Sequence, residues 1–372
     1  MNDFIPVSTP ELQGGNEEAY ALDCIRTGWI SSAGAYVKKF EQAWAEYCSM
    51  AEGVAVSSGT AALHVAIKCL PLEPGAEIIL PSFTIISCAT AILDAGAKPV
   101  LVDCAGDTWT MDTAAIAAKI TPRTRAIMVV HIYGHPVDMD PVHALAEKHG
   151  LYVIEDAAEA HGAEYRGRRC GGLADISIFS FYANKIITTG EGGMLLTDNP
   201  EFAQRARALR NLCFRPDRRF LHTEIGHVYR MTNIQAAIGL AQTERIETFV
   251  AKKREIARIY GALLGDVAGL QLPVEKDWAK NVYWMYAVVL ANDPGLDADA
   301  VSREMRVHKC DTRAFFLGLH EQPVFHDMGL FNGEAYPVTE RISRKGLYLP
   351  SGVQMTEAQQ GAVCEALREA LG

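Results

Sequence analysis

Lys185 lies in FSFYANKIITTGEGGML, between an aromatic, strand-like run and a glycine-rich turn. At the edge of a core a lysine loses hydration, which lowers its pKa and favours the neutral amine that imine chemistry needs. VIEDAAEAHGA ends another apolar run with Glu155 and Asp156, followed by Glu159. Carboxylates are costly to bury unless paired, so one of them is expected to meet a cation: a protonated ring nitrogen or a structural arginine. SSGTAALH follows a third apolar run and opens a helix, so Ser58, Gly59 and Thr60 are candidates to bring backbone N–H groups and a helix N-terminus to an anion. Ser180 adds a hydroxyl five residues before the lysine. Each segment alone has a plainer reading: an N-cap at Ser58 or Thr60, a structural ion pair at the carboxylates, a solvent-facing loop lysine. Together they supply what pyridoxal phosphate requires, namely a phosphate cradle, an acid for the ring nitrogen and an amine.

The elements that must hold these residues are legible from about residue 50 to 200. Short β-rich runs (GVAVSS, EIILPSFT, PVLVDC, AIMVVHIYG, LYVIEDAAEA, DISIFSFY, GGMLLTD) alternate with helix-like stretches, which predicts βαβ units around a mainly parallel sheet. VAVSS, AIMVV and YVIED are apolar nearly throughout, as strands covered on both faces should be. Ligands of such sheets sit beyond the carboxyl ends of the strands, where the three loaded segments fall. After residue 230 the texture changes: TNIQAAIGLAQTERIETFVAKKREIARIYGALL has apolar residues at helical spacing and reads as one long helix or two joined ones. An apolar stretch, NVYWMYAVVL, and a final helix then predict a smaller α+β lobe, giving a large domain over 1–250 and a small one over 251–372.

Composition narrows the function. A net charge of -10 without a strong cluster of Lys and Arg argues against nucleic acid as a partner. Nine cysteines without a CxxC pair fit reduced thiols better than a disulfide framework or a metal site, and none is expected to bind metal. MNDFIPVSTPELQGG lacks the pattern of a signal peptide and no apolar run reaches membrane-spanning length, so the expectation is a cytoplasmic protein without a membrane partner.

SFYANKIITTGEGGM, VIEDAAEAHGA, SSGTAALH, PSFT and YRMTNIQAAIGLAQ resemble the motifs of the DegT/DnrJ/EryC1/StrS family of sugar aminotransferases, over almost the whole chain. The resemblance implies pyridoxal-phosphate fold type I, similar to aspartate aminotransferase. It implies that Lys185 carries the cofactor as a Schiff base and that Asp156 keeps the pyridine nitrogen protonated. Glu159 takes the place of a polar residue near the ring hydroxyl, and Ser58, Gly59, Thr60 and Ser180 serve the phosphate. TGWISSAG, YRMTNIQAAIGLAQ and VYWMY are most similar to the branch that aminates C4 of GDP-4-keto-6-deoxymannose with L-glutamate as donor. Another keto sugar, UDP- or dTDP-linked and aminated at C3 or C4, is the alternative. A related branch dehydrates sugars and carries histidine in place of the lysine, against which Lys185 argues. A non-enzymatic member would be expected to lose Lys185 or Asp156.

Two positions depart from the family pattern. The residue after PSFT is usually aromatic and stacks on the cofactor; here it is Ile85, leaving stacking to an aliphatic contact or to Phe83 if the loop is rearranged. The family's Gly-aromatic-Asn-Tyr-Arg stretch, whose Asn reaches the phosphate in the neighbouring subunit, reads Gly226-His227-Val228-Tyr229-Arg230, so His227 or Arg230 would have to substitute. By the same resemblance the protein is a homodimer with shared active sites. Trp29, Ser31 and Ser32 lie in a substrate-lining stretch, and Arg219, Arg313 and His320 are candidate partners for a nucleotide diphosphate or a carboxylate. For Trp29 and His320 packing roles are equally open.

Overall fold

The computed structural model describes residues 4–215, 217–290 and 296–372. Its main sheet has seven strands in the order Glu52–Val56, Gly193–Thr197, Ile176–Ser180, Tyr152–Asp156, Thr124–Val130, Glu77–Pro81 and Lys98–Val102. Gly193–Thr197 runs antiparallel to both neighbours, and the other pairings are parallel, as the alternating pattern predicts. The continuous apolar runs are buried: Val54, Ala55 and Val56, Ile127 to Val130, and Val153 to Asp156 all lie in the interior. Helices cover both faces because a strand apolar on both sides must be screened from water on both.

Helices Gly59–Cys69 and Ser87–Asp94 each leave the carboxyl end of a strand and pack against each other. This brings residues 57–60, 82–87, 156–159 and 180–185 to one edge of the sheet.

The helical stretch after residue 230 forms two helices, Asn233–Thr243 and Ile246–Leu264. Thr232 starts the first with a capping box: its hydroxyl accepts from Gln235 N and the Gln235 side chain accepts from Thr232 N. A second core gathers Tyr260, Tyr286, Val288, Met305, Leu347 and Leu367 around the antiparallel sheet Leu270–Gln271, Tyr286–Leu290, Gly346–Leu349 and Arg313–Ala314. Residue 250, the expected boundary, falls inside helix Ile246–Leu264. Ile246, Phe249 and Val250 join the first core, while Ile256, Tyr260 and Leu264 join the second. Ile5 also joins the second core, through a bridge to Cys310.

Among the described residues no helix is long and apolar enough to cross a membrane, and all nine cysteines are buried and unpaired.

Candidate active site

A cavity of about 380 Å³ opens at the carboxyl edge of the main sheet. Ser58, Gly59, Thr60, Ile85, Asp156, Glu159, Ser180 and Lys185, which the sequence scatters over 128 positions, all line it.

Lys185 is placed by a hydrogen-bonded loop rather than by a helix or strand. The loop starts at Ser180, where the strand ends, and is closed by Thr189 N and Thr188 Oγ1, both donating to Phe181 O, while Lys185 N donates to Tyr182 O. Its amine lies 3.6 Å from Glu159 Oε1 and 3.8 Å from the centre of the Trp284 ring. Burial pushes the Lys185 amine below the usual lysine range, with the charges of Glu159 and Asp156 opposing part of that shift.

Asp156 is buried at the end of its strand, and the loss of hydration raises its pKa. Ala158 N donates to its Oδ1 at 3.0 Å and the Cys88 thiol to its Oδ2 at 3.2 Å, both favouring the carboxylate. Burial likewise raises Glu159, opposed by Lys185 and by Tyr133 N, which donates to Oε2 at 2.7 Å. An amine of lowered pKa beside two carboxylates of raised pKa can exchange a proton at little cost, as an acid-base centre requires.

The start of helix Gly59–Cys69 forms part of the cavity wall. Ser58 Oγ accepts from Ala61 N at 3.1 Å, so the N-cap reading of SSGTAALH holds, and the same turn lines the cavity. The first N–H groups of a helix have no partner within it and face its positive end. Two glycines permit the close approach. A Cβ on Gly59 would stand 2.8 Å from Ser180 Cβ, and one on Gly193 would stand 2.3 Å from Ser58 O.

Glu155, next to Asp156 but on the other side of the strand, meets no cation. Its carboxylate accepts from Gly171 N, Leu173 N, Ser177 Oγ and His131 Nε2. Val137 N donates to His131 Nδ1, which leaves that ring neutral with its proton on Nε2. Four neutral donors replace the arginine that the sequence reading allowed.

Not every expected residue reaches the cavity of the single chain. Phe83 is 1% exposed, does not line the cavity and packs against the rings of Tyr133, Phe315 and the lining residue Phe316, whereas Ile85, 45% exposed, is on the wall. His320 is a core residue, with Nδ1 2.8 Å from Ser82 Oγ and Nε2 3.2 Å from Glu340 Oε1. Trp29, Ser31, Ser32, Arg219 and Arg313 lie outside the cavity lining of the single chain. Trp29 and Ser31 meet Asn233 through backbone atoms, and the Trp29 side chain is 60% exposed. Arg219 lies over Phe214 in an exposed loop. Arg313 donates to Asp311 at 2.6 Å on an edge strand, opposite the cavity residue Tyr348. His227 stacks on Tyr229 at 4.8 Å, and its neighbour Val228 is exposed.

The sequence reading missed Cys88, Trp284, Phe316 and Tyr348. VYWMY contained a signal for Trp284, an aromatic at the head of a buried strand of the smaller lobe. Cys88 carries no such signal, because only the packing of helix Ser87–Asp94 brings it to Asp156.

A proton-exchanging amine, a buried acid and a helix N-terminus around one cavity suit a phosphorylated, imine-forming cofactor. The comparisons agree with that chemistry. The chain is 42% identical to the GDP-perosamine synthase of Caulobacter vibrioides, with all of both chains covered, and 39% identical to that of Escherichia coli O157:H7, with 98% of each covered. It is 36% identical to a putative pyridoxal phosphate-dependent aminotransferase, EpsN, of Bacillus subtilis, covering 99% of this chain and 96% of that one. Among solved structures, DesV of S. venezuelae in complex with a ketimine intermediate superposes with a TM-score of 0.89 at 32% identity, covering 99% of this chain and 98% of that one. The family model described as the DegT/DnrJ/EryC1/StrS aminotransferase family matches residues 12–368, and the chain belongs to that family.

Proposed function

We propose that this protein transfers the amino group of L-glutamate to C4 of GDP-4-keto-6-deoxymannose, giving GDP-perosamine, with pyridoxal phosphate held at Lys185. The observation that carries the catalytic part is the Lys185 amine, buried and 3.6 Å from Glu159 at the carboxyl edge of the sheet. The substrate rests on three relatives named GDP-perosamine synthase, 35 to 42% identical over nearly their full lengths.

The residues present fit the cofactor: Lys185 for its aldehyde carbon, Asp156 for its ring nitrogen, Glu159 beside its ring hydroxyl, and the turn from Ser58 to Thr60 with Ser180 for its phosphate. When bound, pyridoxal phosphate supplies an electron-withdrawing ring that stabilises negative charge on the carbon losing its proton. Lys185 would be the group that carries that proton, its lowered pKa keeping the neutral form accessible. Asp156 would be the counter-ion of a protonated ring nitrogen, a cation that would offset the cost of its burial. Ile85, Trp284, Phe316 and Tyr348 give the cavity an apolar wall.

A second copy of the chain completes the site in this reading. Ile85 and Tyr182 line the cavity yet are exposed, and Val228, also exposed, adjoins Tyr229, whose carbonyl accepts from Ser57 beside the phosphate turn. A reducing, cytoplasmic setting belongs to the same reading, since the nine cysteines are unpaired.

The test is a competition assay with L-glutamate and GDP-, UDP- and dTDP-linked 4-keto-6-deoxy sugars in one mixture. Preferential formation of the GDP-linked amino sugar with 2-oxoglutarate is expected. Preference for another nucleotide overturns the substrate reading, and sugar dehydration without 2-oxoglutarate overturns the aminotransferase reading.

A further inference from the structure

Lys185 has two neighbours at nearly equal distance, and only one of them is a carboxylate. The other is the face of Trp284, 3.8 Å from the amine. Trp284 is buried at the head of strand Tyr286–Leu290, so it comes from the smaller lobe, and its indole N–H donates to Asn184 O at 2.8 Å. That bond ties the ring to the residue just before Lys185, which fixes the ring's tilt and keeps its face toward the amine. Glu159 is equally constrained: Tyr133 N occupies Oε2, and Oε1 is the oxygen nearest Lys185.

We propose that Trp284 is a positioning residue that, with Glu159, holds the Lys185 ammonium in place whenever that amine is not bonded to the cofactor. This role rests on the cofactor reading above and deepens it. The face of an indole carries negative potential and attracts a cation, more strongly as the cation is desolvated, and the Lys185 amine is largely buried. A transaminating lysine must leave its bond, wait in reach and return, with a long flexible stem that would otherwise sample many rotamers. An ammonium seated between the Trp284 face and Glu159 is restricted to a small volume and gains a counterweight to its burial. The ionisable groups that bear on it are Glu159 and Asp156, with His161 behind the loop kept neutral by burial, its pKa pushed down to about 3.

The test uses the full-length, cofactor-free protein and reads Lys185 itself. Competitive acetylation across a pH series, with mass spectrometry of the Lys185 peptide, gives the midpoint at which the amine loses its proton. Trp284→Leu, which stays apolar but removes the ring face and the indole N–H, is expected to lower that midpoint by about one pH unit, a tenfold change in the protonation equilibrium. Trp284→Phe is expected to lower it by less, and serves if the Leu variant fails to fold. A midpoint unchanged in the folded variants would overturn the proposal. Borohydride reduction of wild-type protein mixed with pyridoxal phosphate reads the cofactor reading separately: a pyridoxyl mass on Lys185 supports it, and its absence overturns both the reading and the role built on it, whatever the midpoint does.

Discussion

The Cys88 thiol donates to Asp156 Oδ2 across 3.2 Å, so the acid proposed to meet the cofactor's ring nitrogen is oriented by a helix that has no other polar claim on it. Thr84 Oγ1, 3.4 Å from the same sulfur, extends this arrangement. A thiol is a weak donor, so it orients the carboxylate while leaving most of its basicity for a stronger partner.

Cys88→Ala removes that donor without adding bulk. The expected cost is about 1 kcal/mol of stability, the usual worth of one buried hydrogen bond, with a fall in kcat of less than tenfold. Denaturant titration and steady-state kinetics of the same preparation check it; an unchanged stability would mean that the contact does not hold Asp156.

Lys185→Ala should abolish covalent capture of pyridoxal phosphate and lower the transamination rate by on the order of 10³-fold or more, since one group serves as both attachment point and proton carrier. Borohydride labelling that persists at another lysine would sink the assignment.

Gly59→Ala places a methyl 2.8 Å from Ser180 Cβ, where neither backbone can yield freely. Overpacking of this kind costs roughly 1–3 kcal/mol. Because the clash sits at the proposed phosphate turn, cofactor affinity is expected to fall about tenfold or more. Equilibrium dialysis with pyridoxal phosphate measures it.

Lys253 yields a prediction about pH. It is buried, donates to Ser351 O and Oγ, and burial pushes its pKa down to about 7. Below that value the folded protein carries the full penalty of a buried ammonium. Between about pH 7 and the ordinary lysine range the unfolded chain binds more protons than the folded one, so stability from this group rises with pH. Lys253→Met removes the titration. The stability of wild type relative to the variant should therefore increase by a few kcal/mol between pH 7 and pH 10, as read from urea midpoints along a pH series. A flat difference would contradict it.

Much of this was legible before any coordinates. Continuous apolar runs announced strands covered on both faces, and the residues after them announced the cavity, because strand ends on one edge of a parallel sheet share a location whatever the fold's details. Ser58, Gly59, Thr60, Asp156, Ser180 and Lys185 follow from those strand ends, Glu159 and Ile85 from the family resemblance, and all eight line one cavity. For His320 and Phe83 the sequence leaves the choice open, because a histidine or an aromatic near a functional segment has the same letters in a core as in a pocket; which it is depends on neighbours such as Ser82 and Glu340, or Tyr133 and Phe315, from distant parts of the chain.

Sequence by itself determined the alternating architecture, the chemistry-bearing strand ends and the family, since these follow from local periodicity and contiguous motifs. Tertiary structure alone decided which partners those residues meet: Cys88 for Asp156, Trp284 for Lys185, and neutral donors rather than an arginine for Glu155. Those pairings join segments tens of residues apart, and spacing along a chain does not encode distance across a packed core.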